Sequence, residues 1–225
     1  MSSTTGPVRP LRAGRAAPVR GTPAARHSYA TIGLHWLSVM AIFVAAVSGL
    51  WREWSENDAL RIWLLEVHKQ SGLLVLACLF LRLAVRFTFG MADHAGELSP
   101  LMRAAASMSH AGLYLLLLAL PSIGLLLCSA SALDVRVFGI FSLPPLLEDD
   151  PDVAANLAQF HVWGAWALLA MVLMHVAAAL WHHLVRRDGV MLAMLPLLRR
   201  REPVASGMAS PEVADLQTAR QRRAA

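Results

Sequence analysis

The sequence has little charge. Asp, Glu, Lys and Arg make up 16% of the 225 residues and hydrophobic residues make up 56%, whereas a soluble domain carries about a quarter charged residues. The two cysteines, Cys78 and Cys128, lack metal-ligand spacing and are predicted to be small packing residues. The patterns HExxH, CxxC and GxSxG and a glycine-rich phosphate loop are all absent. The common soluble catalytic signatures are therefore excluded.

The first 26 residues contain no acidic residue and no apolar stretch of the signal-peptide type. They are rich in Arg, Ala, Pro, Ser and Thr. This composition faintly resembles an organellar transit peptide, but it favours a disordered basic arm on the cytoplasmic side. Residues 197–225 are predicted to form a polar cytoplasmic tail. These boundaries leave residues 27–196 as one membrane domain.

Long apolar stretches dominate the remaining sequence. Residues 32–51, 111–128 and 162–181 each approach the roughly 20 residues needed to cross about 30 Å of hydrocarbon. A fourth stretch, 72–85, is interrupted by Arg82 and reaches spanning length only if residues 64–71 belong to the same helix. The sequence therefore predicts an all-α integral membrane bundle of four helices.

The distribution of charge predicts how the bundle is oriented. Five arginines precede the first helix and eight follow His183, whereas the first and third connections hold four basic residues among nine acidic ones. The positive-inside rule therefore places both termini in the cytoplasm, and an even number of spans agrees because it puts both termini on one side. The net charge of +5 comes from these flanking arginines and does not indicate a nucleic-acid-binding face. The longest connection, 131–156, is predicted to pack over the outer end of the bundle.

Four of the nine histidines are predicted to form two pairs inside the membrane. His161 and His175 are 14 residues apart, which places them on nearly the same helix face and roughly 21 Å apart along the axis. The antiparallel topology puts His35 at the depth of His175, and His68 at the depth of His161. Ionisable residues within a span are costly and usually functional. Two histidines that face each other across a bundle can supply both axial ligands of a haem iron.

Small residues near these histidines, such as Gly72 and Gly164, would leave room for a flat macrocycle. Helix packing in membranes uses small residues in the same way, so this pattern alone leaves both explanations open. Two functions without haem are also compatible with buried histidines. One is a relay for transition metals in a transporter, and the other is a membrane anchor without a cofactor.

Three further residues are weaker candidates for the site. Arg82 and Arg86 are one helical turn apart and could pair with haem propionates through charge-assisted hydrogen bonds, although arginines here also fit a topological role. His110 lies near the cytoplasmic start of the third helix, where no partner is predicted at its depth. It could contact a propionate or a quinone, or it could be an interfacial histidine.

The residues around these histidines resemble the bacterial cytochrome b561 family. The resemblance extends over residues 27–196 and leaves out both terminal arms. It rests on four pieces that occur in the right order: residues 29–36 with His35-Trp36, residues 68–75 beginning His68-Lys69-Gln70-Ser71-Gly72, residues 110–124 with Leu120-Pro121, and residues 175–189 with His182-His183 and Arg187-Asp188-Gly189.

The resemblance implies two b-type haems, each bound by two histidines, and the family's ligand positions fall on His35, His68, His161 and His175. It implies a multi-pass electron carrier of the bacterial inner membrane that is linked to quinone. Oxidation of superoxide at the outer face is one described activity of the family. Related cytochromes are instead membrane subunits of hydrogenases or other dehydrogenases.

The outer loops bear on the choice of electron donor. Their acidic residues do not favour an anion such as superoxide, although Lys69 and Arg136 could attract one locally. A partner subunit that docks on the connection 131–158 is the alternative donor.

Overall fold

The computed structural model describes residues 29–89, 99–187 and 191–195. Each of its four long helices is long and apolar enough to cross a membrane. The predicted all-α four-helix membrane fold is confirmed, while the orientation of the termini stays a prediction. The arm 1–26, the tail 197–225, His27 and His94 lie outside the described residues. The helices are α1 (Tyr29–Trp54), α2 (Asp58–Phe89), α3 (Pro100–Ala130) and α4 (Pro151–Trp181).

The second helix is longer than its apolar stretch. Residues 64–71 belong to α2, as a membrane-spanning length requires, and the helix begins still earlier, at Asp58. The side chain of Asn57 caps the start of α2, since it accepts a hydrogen bond from the amide of Leu60 at 3.0 Å. His68 therefore lies ten residues inside the helix and not near its first turn.

The third and fourth helices both begin with a capping side chain followed by proline. Ser99 accepts a hydrogen bond from the amide of Met102, and Asp150 accepts from the amides of Asp152 and Val153. The helix α3 continues through Pro121.

The four helices pack as two hairpins, α1 with α2 and α3 with α4, and only α2 and α3 make substantial contact between the hairpins. The buried apolar cluster at their junction contains Ala41, Val75, Leu79 and Leu117. In contrast, α4 contributes no buried residue. The two hairpins are thus loosely packed along α4, the helix that carries two of the four predicted ligands.

The connection between α3 and α4 holds a short antiparallel hairpin of strands β1 (Arg136–Val137) and β2 (Phe141–Ser142). The hairpin is attached to α2 through Gln70, whose side chain donates to the Arg136 carbonyl at 2.7 Å and accepts from the Phe138 amide at 2.9 Å. The Lys69 ammonium donates to the carbonyl of Asp134 at 2.8 Å. The connection therefore packs against α2, next to His68.

At the opposite end of the bundle, α4 passes into a π-helical turn, His182–Arg186. The chain then returns to α1, where the indole of Trp36 donates to the carbonyl of Met194 at 2.8 Å. This contact fixes the exit segment 191–195 beside His35.

Candidate haem-binding sites

The outer site lies at the end of the bundle that carries the α1–α2 and α3–α4 connections, called outer on the predicted orientation. It is formed by His68 and His161, whose ring centroids are 5.8 Å apart with an angle of 74° between the planes. Nδ1 of His68 lies 2.8 Å from the carbonyl of Ala45, so this nitrogen carries the proton and donates. Nε2 of His68 thus keeps the lone pair that a metal needs.

Two glycines make room for the outer imidazoles. A Cβ atom added at Gly49 of α1 would lie 3.0 Å from Nδ1 of His68, and one added at Gly124 of α3 would lie 3.3 Å from Cε1 of His161. Any larger residue would crowd these rings. The outer site is therefore a pair of histidines held between a pair of glycines.

The inner site is formed by three histidines and an arginine. The ring centroids of His35 and His175 are 6.5 Å apart, with 56° between the planes, and those of His110 and His175 are 5.5 Å apart, with 80° between the planes. Nη2 of Arg82 lies 3.0 Å from the carbonyl of Leu34 and 3.4 Å from Nδ1 of His35. Nδ1 of His110 lies 2.7 Å from the carbonyl of Ala106.

Each helix contributes one residue to each site, at a spacing of 14 positions. This spacing returns a helix to nearly the same face about 21 Å further along its axis. Two similar sites are therefore built from one repeated geometry. The pairs, outer residue first, are Gly49 and His35 on α1, His68 and Arg82 on α2, Gly124 and His110 on α3, and His161 and His175 on α4.

The distances between the paired rings fit a haem iron. With metal–nitrogen bonds of about 2 Å on both sides of a metal, the centroids of two imidazoles are about 6 Å apart, which lies between the two observed values of 5.8 and 6.5 Å. In the described part of the chain, no group of three or more His, Cys, Asp or Glu side chains could hold a bare metal ion. Pairs of imidazoles suit a haem, which brings four nitrogen ligands of its own.

Buried polar groups at both sites also fit a haem. Among the described side chains, the buried nitrogen and oxygen atoms without a hydrogen-bond partner are Nδ1 of His161 and Nε of Arg52, and Arg52 lies one turn beyond Gly49 on α1. At the inner site, Arg82 is partly buried within a membrane span and pairs with none of the described carboxylates. Buried polar groups of this kind call for a bound partner, and haem offers both a metal and propionate carboxylates.

The structure brings most of the predicted site residues together, and Arg86 is the exception. The structure brings together His35 with His175 and His68 with His161, as the depth argument predicted, whereas their role as ligands stays a prediction. Arg82 reaches the inner site, but the guanidinium of Arg86 lies over the ring of Tyr114 at 5.9 Å. His110 does have a partner at its depth, namely His175, because α3 begins at Pro100 and places His110 three turns inside the helix.

Two glycines near the histidines have different roles from each other. A Cβ atom added at Gly72 would meet nothing within 4 Å, so open space lies beside this turn of α2. A Cβ atom added at Gly164 would lie 2.7 Å from Leu120, so Gly164 serves the close packing of α3 and α4. Sequence reasoning missed Gly49, Gly124 and Arg52. The 14-residue spacing from His35 and His110 could have found the two glycines.

Four apolar helices that bring intramembrane histidines together in pairs define a multi-pass membrane protein of the b-type cytochrome class. Residues 26–197 match the family described as prokaryotic cytochrome b561, and the chain belongs to this family. Membership implies haem b, a role in membrane electron transfer and a place in a bacterial membrane.

Three curated relatives are similar over most of their length. Cytochrome b561 homolog 2 of Escherichia coli (strain K12) is 32% identical over 171 residues, which cover 76% of this chain and 91% of the relative. The probable superoxide oxidase CybB of Yersinia pestis is 26% identical over 174 residues, covering 77% and 98% of the two chains. Cytochrome b561 homolog 1 of Escherichia coli (strain K12) is 26% identical over 174 residues, covering 76% and 97%.

Proposed function

We propose that this protein carries electrons across the bacterial inner membrane by means of two haem b groups. His68 and His161 would hold the outer haem, and His35 and His175 the inner one. Each haem, when bound, supplies one-electron oxidation and reduction of its iron. The observation that carries the proposal is the repeated pairing of histidines at 5.8 and 6.5 Å on four membrane-spanning helices.

The chain's own residues would orient the ligands and exclude water between the sites. The carbonyl of Ala45 fixes the tautomer of His68, which is the usual way that a ligand histidine is held. The buried apolar cluster around Ala41, Val75 and Leu117 lies between the two sites. Because this layer is dry and low in dielectric, it separates the sites without a polar path between them.

Polar residues at the inner site would hold the propionates or the quinone. Arg82 lies against His35, and His110 lies against His175. Arg86 is one turn further along α2 and is exposed. Guanidinium groups form strong bidentate bonds with carboxylates, so we propose Arg82, and more weakly Arg86 and His110, as contacts to a propionate or a quinone.

We propose a quinone as the acceptor and superoxide as the first candidate donor. The name of the Yersinia pestis relative supports the donor. The reaction would then oxidise two superoxide anions to dioxygen at the outer face and reduce one quinone by two electrons, with two protons taken up by the quinol. The basic residues nearest the outer site are already engaged, however, since Lys69 pairs with Glu66 at 2.5 Å and Arg136 with Asp134 at 3.4 Å.

The outer connection favours a second candidate, a cytochrome subunit that receives electrons from a hydrogenase or another dehydrogenase. Its hairpin exposes Phe138, Ile140 and Phe141, with exposed fractions of 52%, 81% and 55%. Exposed apolar groups of this size commonly mark contact surfaces. They lie beside the outer site because Gln70 holds the hairpin two residues after His68.

The test begins with the purified full-length protein in detergent. Oxidised and dithionite-reduced visible spectra are recorded, and extracted haem is counted per chain, with two haems expected. A well-folded preparation without haem would overturn the proposal and favour a transition-metal relay. Reduction of the bound haem by enzymatically generated superoxide, abolished by superoxide dismutase, supports the first donor. Haem that superoxide does not reduce supports the subunit alternative.

A further inference from the structure

We infer that the charge of Arg82 gives the inner haem a higher reduction potential than the outer haem. The inference rests on the proposed function, because it requires haem at both sites. A positive charge near a redox centre favours the reduced state, which carries one positive charge fewer, and this attraction is strong where the dielectric is low. The site with the higher reduction potential should therefore be the one that holds a positive charge that no carboxylate offsets.

Within the described ranges the inner site holds such a charge, because Arg82 pairs with none of the carboxylates there. The guanidinium of Arg82 donates to the Leu34 carbonyl through Nη2 at 3.0 Å and Nε at 3.3 Å, and it lies 3.4 Å from the ring of His35. Arginine stays protonated in proteins. The ionisable side chains that face it from α2 and α3 are the thiol of Cys78 and the phenol of Tyr114. His110 and His175 also lie at this level among the described residues, and neither is an acid.

At the outer site, by comparison, the two cations nearest the site residues, Arg52 and Lys69, have acidic partners. Arg52 pairs with Glu53 at 3.0 Å, and Lys69 pairs with Glu66 at 2.5 Å. A carboxylate at this distance cancels most of the field that the cation exerts on a more distant group. Among the described residues, the cations Arg52 and Lys69 beside the outer site are thus paired with acids, whereas Arg82 at the inner site is not.

The second nitrogen of His68 acts in the same direction. Nδ1 of His68 donates to the carbonyl of Ala45, which makes the ring a more basic ligand and favours the oxidised metal. Nδ1 of His35 lies 3.4 Å from Nη2 of Arg82. If Nε2 of His35 binds the metal, Nδ1 carries the proton and cannot accept a hydrogen bond from Arg82. The arginine then acts on the site through its charge.

A propionate bound to Arg82 would weaken this effect without reversing its sign. A propionate of the outer haem would meet Arg52, which already forms an ion pair with Glu53. The difference between the sites therefore persists with both haems in place. Arg82 is a positioning residue, since its charge acts on the metal from a distance and it does not bind the metal.

The test is a redox titration of the visible spectrum of the haem-loaded protein. We expect two waves, one for each haem. Arg82→Gln should lower the midpoint potential of the higher wave by about 59 mV, which for one electron is a tenfold change in the ratio of reduced to oxidised haem. Arg82→Lys, which keeps the charge, should restore most of the shift. Arg52→Gln is the matched control, and it should move the lower wave by much less. A higher wave that stays in place in Arg82→Gln, or equal shifts in Arg82→Gln and Arg82→Lys, would overturn the inference.

The order of the potentials can be tested without changing Arg82. His161→Leu removes an outer ligand, and the haem that remains should titrate with the higher wave. His175→Leu removes an inner ligand and should leave the lower wave. The reverse order in this pair would overturn the inference even if Arg82→Gln fails to retain haem. A wild-type content other than two haems would instead contradict the proposed function.

Discussion

The outer and inner sites are built from the same four helices at the same 14-residue spacing, and yet their surroundings differ. At the outer site the two histidines are flanked by Gly49 and Gly124, which contribute no side chain. At the inner site the corresponding positions on the neighbouring helices carry Arg82 and His110, which contribute a charge and a third imidazole. Repetition of the backbone geometry therefore fixes where the two histidine pairs lie, and the residues beside each pair distinguish the two sites chemically.

The comparison also shows how each site is closed. The outer site is covered by the connection between α3 and α4, which is tied to Gln70 beside His68. The inner site is approached by the exit segment, which reaches α1 through the bond between Trp36 and the Met194 carbonyl. One site thus lies beside the hairpin of the α3–α4 connection, and the other lies beside the exit segment 191–195.

The largest expected effect comes from removing one ligand of each pair. His161→Leu and His175→Leu should each lower the haem content from two per chain to one, because one imidazole cannot provide both axial bonds. Haem is counted after extraction from purified protein. His183→Leu, at the inner end of the bundle but outside both pairs, is the control and should retain two haems. A variant in either pair that retained both haems would break the assignment of ligands.

The next effect separates His35 from His110 at the inner site. Both rings lie close to His175, but the proposed ligand is His35. His35→Ala should therefore lose the inner haem, whereas His110→Ala should retain two haems and alter only the spectrum of the inner one. Haem counts with low-temperature reduced spectra distinguish the two cases. The opposite result would make His110 the ligand and remove the similarity between the two pairs.

A smaller effect tests the glycines of the outer site. In Gly49→Ala the new methyl group would lie 3.0 Å from Nδ1 of His68, so the imidazole must shift away from the Ala45 carbonyl. We expect partial loss of the outer haem, at a cost of about 1–3 kcal/mol for overpacking, with the inner haem unaffected. Gly33→Ala on the same helix meets nothing within 4 Å and is the control. Equal haem contents in both variants would show that the outer site tolerates a larger neighbour.

The smallest effect concerns the cover of the outer site. Gln70→Ala removes two hydrogen bonds to the hairpin, each worth about 0.5–1.5 kcal/mol, so the connection should open more often. Limited proteolysis should then cut between residues 131 and 150 several-fold faster, while both haems are retained. Gln159→Ala, at an exposed position on α4, is the control, and the protease should cut it at the wild-type rate. An unchanged rate in Gln70→Ala would mean that other contacts hold the hairpin.

The helices and the histidine pairs could be predicted because the membrane imposes simple rules. An apolar stretch of spanning length must be helical, and helix periodicity relates His161 to His175 and, with the topology, to His35 and His68. The continuity of α2 from residue 64 through Arg82 followed from the same rule. These features depend on period and length, which the sequence displays directly.

The remaining parts of the sites depend on contacts between helices, which sequence periodicity does not specify. The apolar stretch that begins at residue 111 predicts His110 near the start of the third helix and without a partner, whereas α3 begins at Pro100. Gly164 was linked to the macrocycle, but its space is occupied by Leu120. The attachment of Gln70 to the hairpin joins residues 66 and 68 positions apart in sequence, and no local pattern indicates it.

The shared 14-residue spacing has a consequence for how this chain can change length. One residue inserted between the two sites of any helix would turn everything beyond it by about 100° and shift it by about 1.5 Å. One of the two site residues on that helix would then point away from its haem. Insertions in the connections 55–57 or 131–150 would cause no such rotation. The segment between the two site residues of each helix is therefore expected to keep a fixed length, and to tolerate substitution but not insertion or deletion.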